Sequence, residues 1–150
     1  MRLAELFKVG VLGLLTLASA ISGGTLMAAP MVVTTEGKVT GLKLNNLEVF
    51  RGVPYAQPPT GTLRWQPPQP LTLRSHTLNA EAFGPRCMQR TYGDNPPRMS
   101  EDCLTLNVWS PGTQGSARPV MVYIHGGGFR GGSGEVPGEV LARHGVVVVS

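Results

Sequence analysis

Pro119-Val120-Met121-Val122-Tyr123-Ile124-His125-Gly126-Gly127-Gly128 is the stretch that decides how this chain folds. Pro119 to Ile124 is a continuous apolar run, the pattern of a central strand buried on both faces. Three glycines follow it at once. Consecutive glycines after a buried strand are costly in chain entropy, so the backbone there must need a freedom that other residues deny it. A nest of N–H groups can point at an anion when no Cβ blocks the approach. In acyl transfer such donors stabilise the negative oxygen of the tetrahedral intermediate, and losing one typically costs about 3–4 kcal/mol. Downstream, Glu139 to His144 has the character of a short helix ended by Gly145, and Val146 to Val149 is another apolar strand. Strand, glycine loop, helix and strand in succession are the grammar of an α/β domain.

Working upstream, Leu104 to Trp109 alternates with period two and is bounded by Ser110-Pro111-Gly112, which predicts a half-buried strand. Ala80 to Ser100 is irregular. Pro54 to Pro70 holds six prolines, which fix φ and remove donors, so it reads as extended coil wrapped over a surface and pinned by Tyr55, Leu63 and Trp65. Before it, Met31 to Thr35, Lys38 to Leu44 and Leu47 to Phe50 are separated by the turn signals Glu36-Gly37 and Asn45-Asn46. They predict an antiparallel meander at the edge of a sheet.

The 150 residues suffice for one domain with a real core. Hydrophobic content of 41% supplies enough apolar surface to offset chain entropy, which excludes disorder for the bulk of the chain. The formal net charge is +4, but the basic residues from Arg51 to Arg143 stand singly, without the clustered patch a nucleic-acid surface requires. Residues 1–29 read as a signal peptide. Arg2 and Lys8 precede an apolar run from Val9 to Ile21, and cleavage is expected after Ala20 or near Ala28 and Ala29. Gly23, Gly24 and Thr25 cut that run short of the roughly 20 residues a span requires, so no stable membrane anchor is expected. Export places the chain in a secreted or periplasmic compartment. Cys87 and Cys103 are the only cysteines, so one intramolecular pairing is possible, with two free thiols as the alternative. Closing that loop of about 15 residues would stabilise by about 3 kcal/mol in the chain-entropy model. His76 and His125 are not at finger spacing from the cysteines, which speaks against a metal site.

The His-Gly-Gly-Gly arrangement after a strand is a form associated with lipases and esterases. A nucleotide loop is the competing reading, since Gly-x-Gly-x-x-Gly spacing can be drawn from Gly126 to Gly134. It is set aside because no P-loop lysine follows and no acidic residue ends a following strand.

Four motifs in register carry a more specific resemblance. Phe50-Arg51-Gly52-Val53-Pro54-Tyr55-Ala56-Gln57-Pro58-Pro59-Thr60-Gly61, Leu63-Arg64-Trp65, Ser100-Glu101-Asp102-Cys103-Leu104-Thr105-Leu106-Asn107-Val108 and Pro119 to Ser133 together resemble the type-B carboxylesterase (cholinesterase-like) family. The resemblance covers about residues 31–150. It implies the N-terminal part of an α/β-hydrolase fold, with antiparallel edge strands leading into a central, mostly parallel sheet. It implies hydrolysis of a small-molecule carboxylic ester through an acyl-serine, with no cofactor. Gly127 and Gly128 would supply oxyanion-hole N–H groups, with Gly126 shaping the loop. Cys87 and Cys103 would form a disulfide. Arg64 and Glu101 would make a buried ion pair holding the proline-rich segment, and breaking one partner of such a pair costs about 3–5 kcal/mol. His125 is structural on this reading, because the family's catalytic histidine lies far downstream; His76 and His144 have no supporting motif.

The family's chemistry needs a serine on a Gly-x-Ser-x-Gly elbow, then an acid, then a histidine. No such elbow occurs; the nearest approach, Gly131-Gly132-Ser133-Gly134-Glu135, ends on glutamate. Residues 30–150 therefore read as an incomplete domain, inactive alone, that contributes the anion-stabilising half of an esterase. The alternative is a fragment of a catalytically silent, cholinesterase-like binding or adhesion protein. Acyl and alcohol preference and oligomeric state are not readable from these residues.

Overall fold

The computed structural model describes residues 28–91, 96–115 and 117–150. The signal-peptide reading of residues 1–29 falls, apart from its last two residues, outside the described residues. Among the described residues eight strands form two sheets, accompanied by one short α-helix and a single 3-10 turn at Gly61–Leu63. Strands β1 (Met31–Thr34) and β2 (Gly37–Thr40) pair antiparallel, and β5 (Leu78–Asn79) adds in parallel to β2. The second sheet contains β3 (Leu42–Leu44), β4 (Leu47–Pro54), β6 (Thr105–Ser110), β8 (Val147–Val149) and β7 (Val120–Val122), in that spatial order.

The expected meander is thus divided between two sheets, and the break falls at Gly41. Its N–H donates to the Pro30 carbonyl at 2.9 Å, and a Cβ at this position would collide with the Val49 carbonyl and the Phe50 ring. With no side chain at Gly41, the backbone crosses directly over β4 and changes sheet, so Lys38 to Leu44 is two strands and not one.

Alternation along β4 buries Leu47 and Val49 on one face of the large sheet and Phe50 on the other. On the first face Trp109, fully buried, packs with Leu47, Val49, Val148 and Ala142 of helix α1 (Glu139–Ala142). Gly138, the residue before that helix, lies so close to the indole that a Cβ would strike the ring. On the second face Phe50, Val39 and Ala80 form a smaller cluster that joins the two sheets. The large sheet is therefore covered by a helix on one side and the small sheet on the other.

Four expectations need correction. The large sheet is mostly antiparallel among the described residues: β3–β4, β4–β6 and β6–β8 are antiparallel and only β7–β8 is parallel. The run Pro119 to Ile124 is not buried. It supplies β7 at the sheet edge, with Val120, Met121 and Val122 at 62%, 44% and 65% exposure. A continuous apolar run reports a strand fit for two covered faces and two partners, and the described residues provide a partner, β8, on one side only. The proline-rich segment is not pinned by aromatics. Trp65 is 94% exposed and Tyr55 is exposed as well, while Ala56 is the buried contact. Hydrogen bonds order the segment instead: the Tyr55 N–H donates to the Leu104 carbonyl at 3.1 Å, and the Gln57 N–H and side chain close the segment on itself at the Gln69 and Pro70 carbonyls. Arg64 and Glu101 do meet, at 2.5 Å, but their side chains are 53% and 41% exposed. Both sit on outward-facing coil, so the pair is solvated and not buried.

The ties between layers converge on Asn107, a polar residue buried in the middle of β6 with 5% exposure. Its Oδ1 accepts from the Gly52 N–H at 2.9 Å, and its Nδ2 donates to the Gly134 carbonyl at 3.1 Å and to Ser150 Oγ at 3.2 Å. Its backbone exchanges two further bonds with Ser150. Gly52, at φ +66, is part of the irregularity between Phe50 and Val53 that shifts the β4–β6 register. One amide thereby fastens β4, β6, the end of β8 and the segment after the glycine loop.

Two predictions follow from the contrast between these polar contacts. Asn107→Leu leaves the part-buried Gly52 N–H unpaired, while the Gly134 carbonyl keeps its bond from Ser150 Oγ. One unsatisfied donor costs about 1–3 kcal/mol, so the urea midpoint should fall by an equivalent amount. Arg64→Ala removes a solvated pair worth under about 1 kcal/mol, so its midpoint should stay close to wild type. Both are read from the fluorescence of the buried Trp109 during unfolding; equal losses in the two variants would contradict this ranking.

Candidate oxyanion site

The glycine loop grows directly from β7. Pairing with β8 continues one residue past the strand, where the Tyr123 N–H donates to the Val149 carbonyl at 2.7 Å. After Ile124 and His125 the chain turns back on itself. Gly127, Gly128 and Phe129 all take positive φ, at 126°, 58° and 58°, and the Arg130 N–H closes the turn on the Gly127 carbonyl at 3.0 Å. Phe129 is fully exposed.

The reasons for glycine differ along this loop. At Gly127 a Cβ would run into the Gly131 carbonyl, and at Gly132 into the His125 ring and the Gly126 carbonyl. The outgoing limb, 126–128, and the returning limb, 131–132, are therefore in backbone contact. Around Gly126 and Gly128, by contrast, the space a Cβ would occupy is open. Among the described residues no acceptor takes the Gly127 or Gly128 N–H. Two adjacent donors without a protein acceptor, in a turn closed by its own backbone bond, are what an anion-binding site would require.

The other residues singled out from sequence fall around the returning limb. Cys87 and Cys103 are joined in a disulfide. Two residues beyond Cys87, the Gln89 side chain reaches the loop: Oε1 accepts from the Gly132 N–H at 2.7 Å and Nε2 donates to the Gly132 carbonyl at 2.9 Å. Arg86 pairs with Glu135 just past the loop. A cavity of about 600 Å³ lies between the disulfide segment, Asn107, the His125 backbone turn and residues 131–135. Gly126, Gly127 and Gly128 do not line it. The Arg64–Glu101 pair touches this region only through sequence, Cys103 following two residues after Glu101.

His125 is exposed, with Nδ1 2.8 Å from the Gly126 carbonyl, which orients the ring against its own loop. Ser133 Oγ accepts from the Glu135 N–H at 3.4 Å in a local turn. His76 and His144 are exposed. The carboxyl of Glu36 is held below its usual range, chiefly by hydrogen bonding to Thr35 and then Thr34, but it sits in the exposed β1–β2 turn. Sequence reading missed Gln89 and gave no role to Asn107. For the second the pattern pointed the other way: in the alternation of Leu104, Leu106 and Val108 the asparagine falls on the polar phase with Thr105, and only Trp109, at the same parity, marks that face as the buried one. Gln89 carried no signal, because its partner is backbone more than 40 residues away.

Comparison with known proteins agrees with the motifs. Residues 28–150 match the model of the Carboxylesterase family. The chain is 42% identical over 136 residues to phenmedipham hydrolase of Pseudarthrobacter oxydans, which covers 82% of this chain and 27% of that protein. It is 41% identical over 132 residues to para-nitrobenzyl esterase of Bacillus subtilis, again covering 82% and 27%. Among solved structures, a PNB esterase superposes with a TM-score of 0.73 at 40% identity, covering 81% of this chain and 26% of that one. A carboxylesterase of Geobacillus stearothermophilus does so with a TM-score of 0.73 at 41% identity, covering 79% and 25%. The chain spans about a quarter of the length of these relatives. On motifs, fold and overall likeness together, this chain belongs to the carboxylesterase family.

Proposed function

We propose that these residues form the anion-stabilising segment of an exported serine carboxylic ester hydrolase. The observation that carries the reading is the pair of unclaimed N–H groups at Gly127 and Gly128. In the proposed chemistry an ester carbonyl oxygen lies against these two amides as a serine adds to its carbon. Charge develops on that oxygen in the transition state, where fixed donors act without reorganisation, each worth about 3–4 kcal/mol. Gly126 contributes by leaving room: a side chain there, or at Gly128, would stand beside the approaching substrate.

The serine elbow, its acid and its histidine are assigned to sequence beyond these 150 residues, which contain no Gly-x-Ser-x-Gly. The substrate is placed no more finely than a small-molecule carboxylic ester. Export is supported by the basic-then-apolar start of the chain and by the Cys87–Cys103 disulfide, since such bonds persist in oxidising compartments. A silent binding relative would have no use for two outward amides.

The purified 150-residue chain should show no hydrolysis of p-nitrophenyl butyrate that phenylmethylsulfonyl fluoride abolishes; inhibitor-sensitive turnover would overturn the assignment of the nucleophile. In the source DNA, reading on in frame should reveal the elbow, and a non-nucleophilic residue at its centre would favour the silent relative. Replacing Cys87 and Cys103 by serine should lower stability by about 3 kcal/mol, measured by urea unfolding. The wild-type chain under a reductant should lose a similar amount, whereas no change in either would mean the bond contributes nothing to holding this segment.

A further inference from the structure

We propose that Gln89 is a positioning residue for the oxyanion donors, a role that rests on the reading of Gly127 and Gly128 given above. The side-chain amide of Gln89 copies a strand partner. It accepts from the Gly132 N–H at 2.7 Å and donates to the Gly132 carbonyl at 2.9 Å, occupying both polar groups of one backbone residue. The same Nε2 donates to the Cys87 carbonyl at 3.1 Å, which ties the clamp to the disulfide segment. Gly131 is part of the fit, because a Cβ there would meet the Gln89 Oε1 at 2.6 Å.

What Gln89 holds is the returning limb, and that limb is in contact with the donors. Gly127 has no room for a Cβ because the Gly131 carbonyl occupies it, and Gly132 lies against His125 and the Gly126 carbonyl. Two backbones this close cannot move separately. A force that fixes Gly132 therefore fixes the plane of the peptides at Gly127 and Gly128, whose N–H direction decides whether they can meet one oxygen. The turn at Gly127–Arg130 has a single backbone bond of its own, and Gln89 is the attachment nearest to it, ahead of those at Gly134 and Glu135 further along the limb. The anchor on the far side is covalent, since Cys87 is bonded to Cys103.

The test uses the full 150-residue chain with isotope-labelled glycine, so that the amides of Gly127, Gly128, Gly132 and Gly138 are seen together. Gly138 lies against the Trp109 ring and reports whether the core is intact. The informative variant is Gln89→Glu. A protonated carboxyl can both donate and accept as the amide does, but an ionised one can only accept and repels the Gly132 carbonyl. In this variant the Gly127, Gly128 and Gly132 signals should lie near their wild-type positions in acid. They should move away together as pH rises through the carboxyl's titration, near or above about 4.3, while Gly138 stays in place. A glutamine that merely filled space would give a displacement independent of pH. Movement of Gly132 without Gly127 and Gly128 would overturn the proposal, because the clamp would then be local. In the wild-type chain the Gly132 amide should exchange with solvent at least about tenfold more slowly than an unstructured glycine; free exchange would equally overturn it. If Gly138 shows that Gln89→Glu damages the core, the wild-type exchange rate decides alone. None of these signals depends on ester turnover. Loss of the esterase reading would leave the clamp observable, and loss of the clamp would leave the esterase reading untouched.

Discussion

Burial of a single polar side chain, Asn107, is the constraint on which the arrangement depends. An amide placed between a helix-covered face and two strands is costly unless all of its hydrogen-bonding capacity is used. Here it is used on elements far apart in sequence: Gly52 at the β4 irregularity, Gly134 beyond the glycine loop, and Ser150 at the end of β8. None of these partners can shift without exposing the others. The neighbouring apolar contact, Trp109 against Gly138, Val148 and Ala142, supplies adhesion to the same face but is less demanding of direction. Apolar packing sets which faces meet; the amide sets where along the strands they meet.

Around that centre the glycine loop is assembled from two sides. Its outgoing limb is carried by β7 and the bond from Tyr123 to Val149. Its returning limb is held by Gln89 at Gly132, by Asn107 at Gly134 and by Arg86 at Glu135. The disulfide lies behind the Gln89 attachment and the buried amide behind the Gly134 attachment. Short, cooperative contacts thus replace a core at the one place where a core would block access.

Much of this was legible in the residues. Turn signals at Glu36-Gly37 and Asn45-Asn46, alternation from Leu104 to Trp109, and the apolar run before His125 located the starts of β1, β2, β4, β6 and β7 to within one residue, because period and punctuation are local properties, while β4 runs on to Pro54, four residues past the expected Phe50. The helix before Gly145 was also found, although it is shorter than expected, ending at Ala142. What was not legible is what depends on approach between distant segments. That Gly41 lets the chain change sheets depends on β4 passing beneath it. That Val120 to Val122 lies at an edge depends on which partners surround it, and apolar character describes only the strand itself. Arg64 and Glu101 meet as the family resemblance implied, but in solvent and not in the interior, since a shared motif carries over who meets and not how much water remains. Two-residue β5 was invisible for a similar reason: its pairing to Val39 and Thr40 is imposed by the small sheet, not by its own pattern.

The loop's glycines divide by the origin of their constraint, and the division has an evolutionary consequence. Gly127 and Gly132 are fixed by backbone crowding, and Gly131 by its clamp, so any descendant that keeps this fold must keep them whether or not it hydrolyses anything. Gly126 and Gly128 meet no such obstruction. Gly128 carries a φ of 58°, which an asparagine tolerates, and Phe129 beside it already adopts the same angle. In a lineage released from catalysis these two positions would drift first while their neighbours stood still, leaving the loop's outline as a fossil of a chemistry no longer performed.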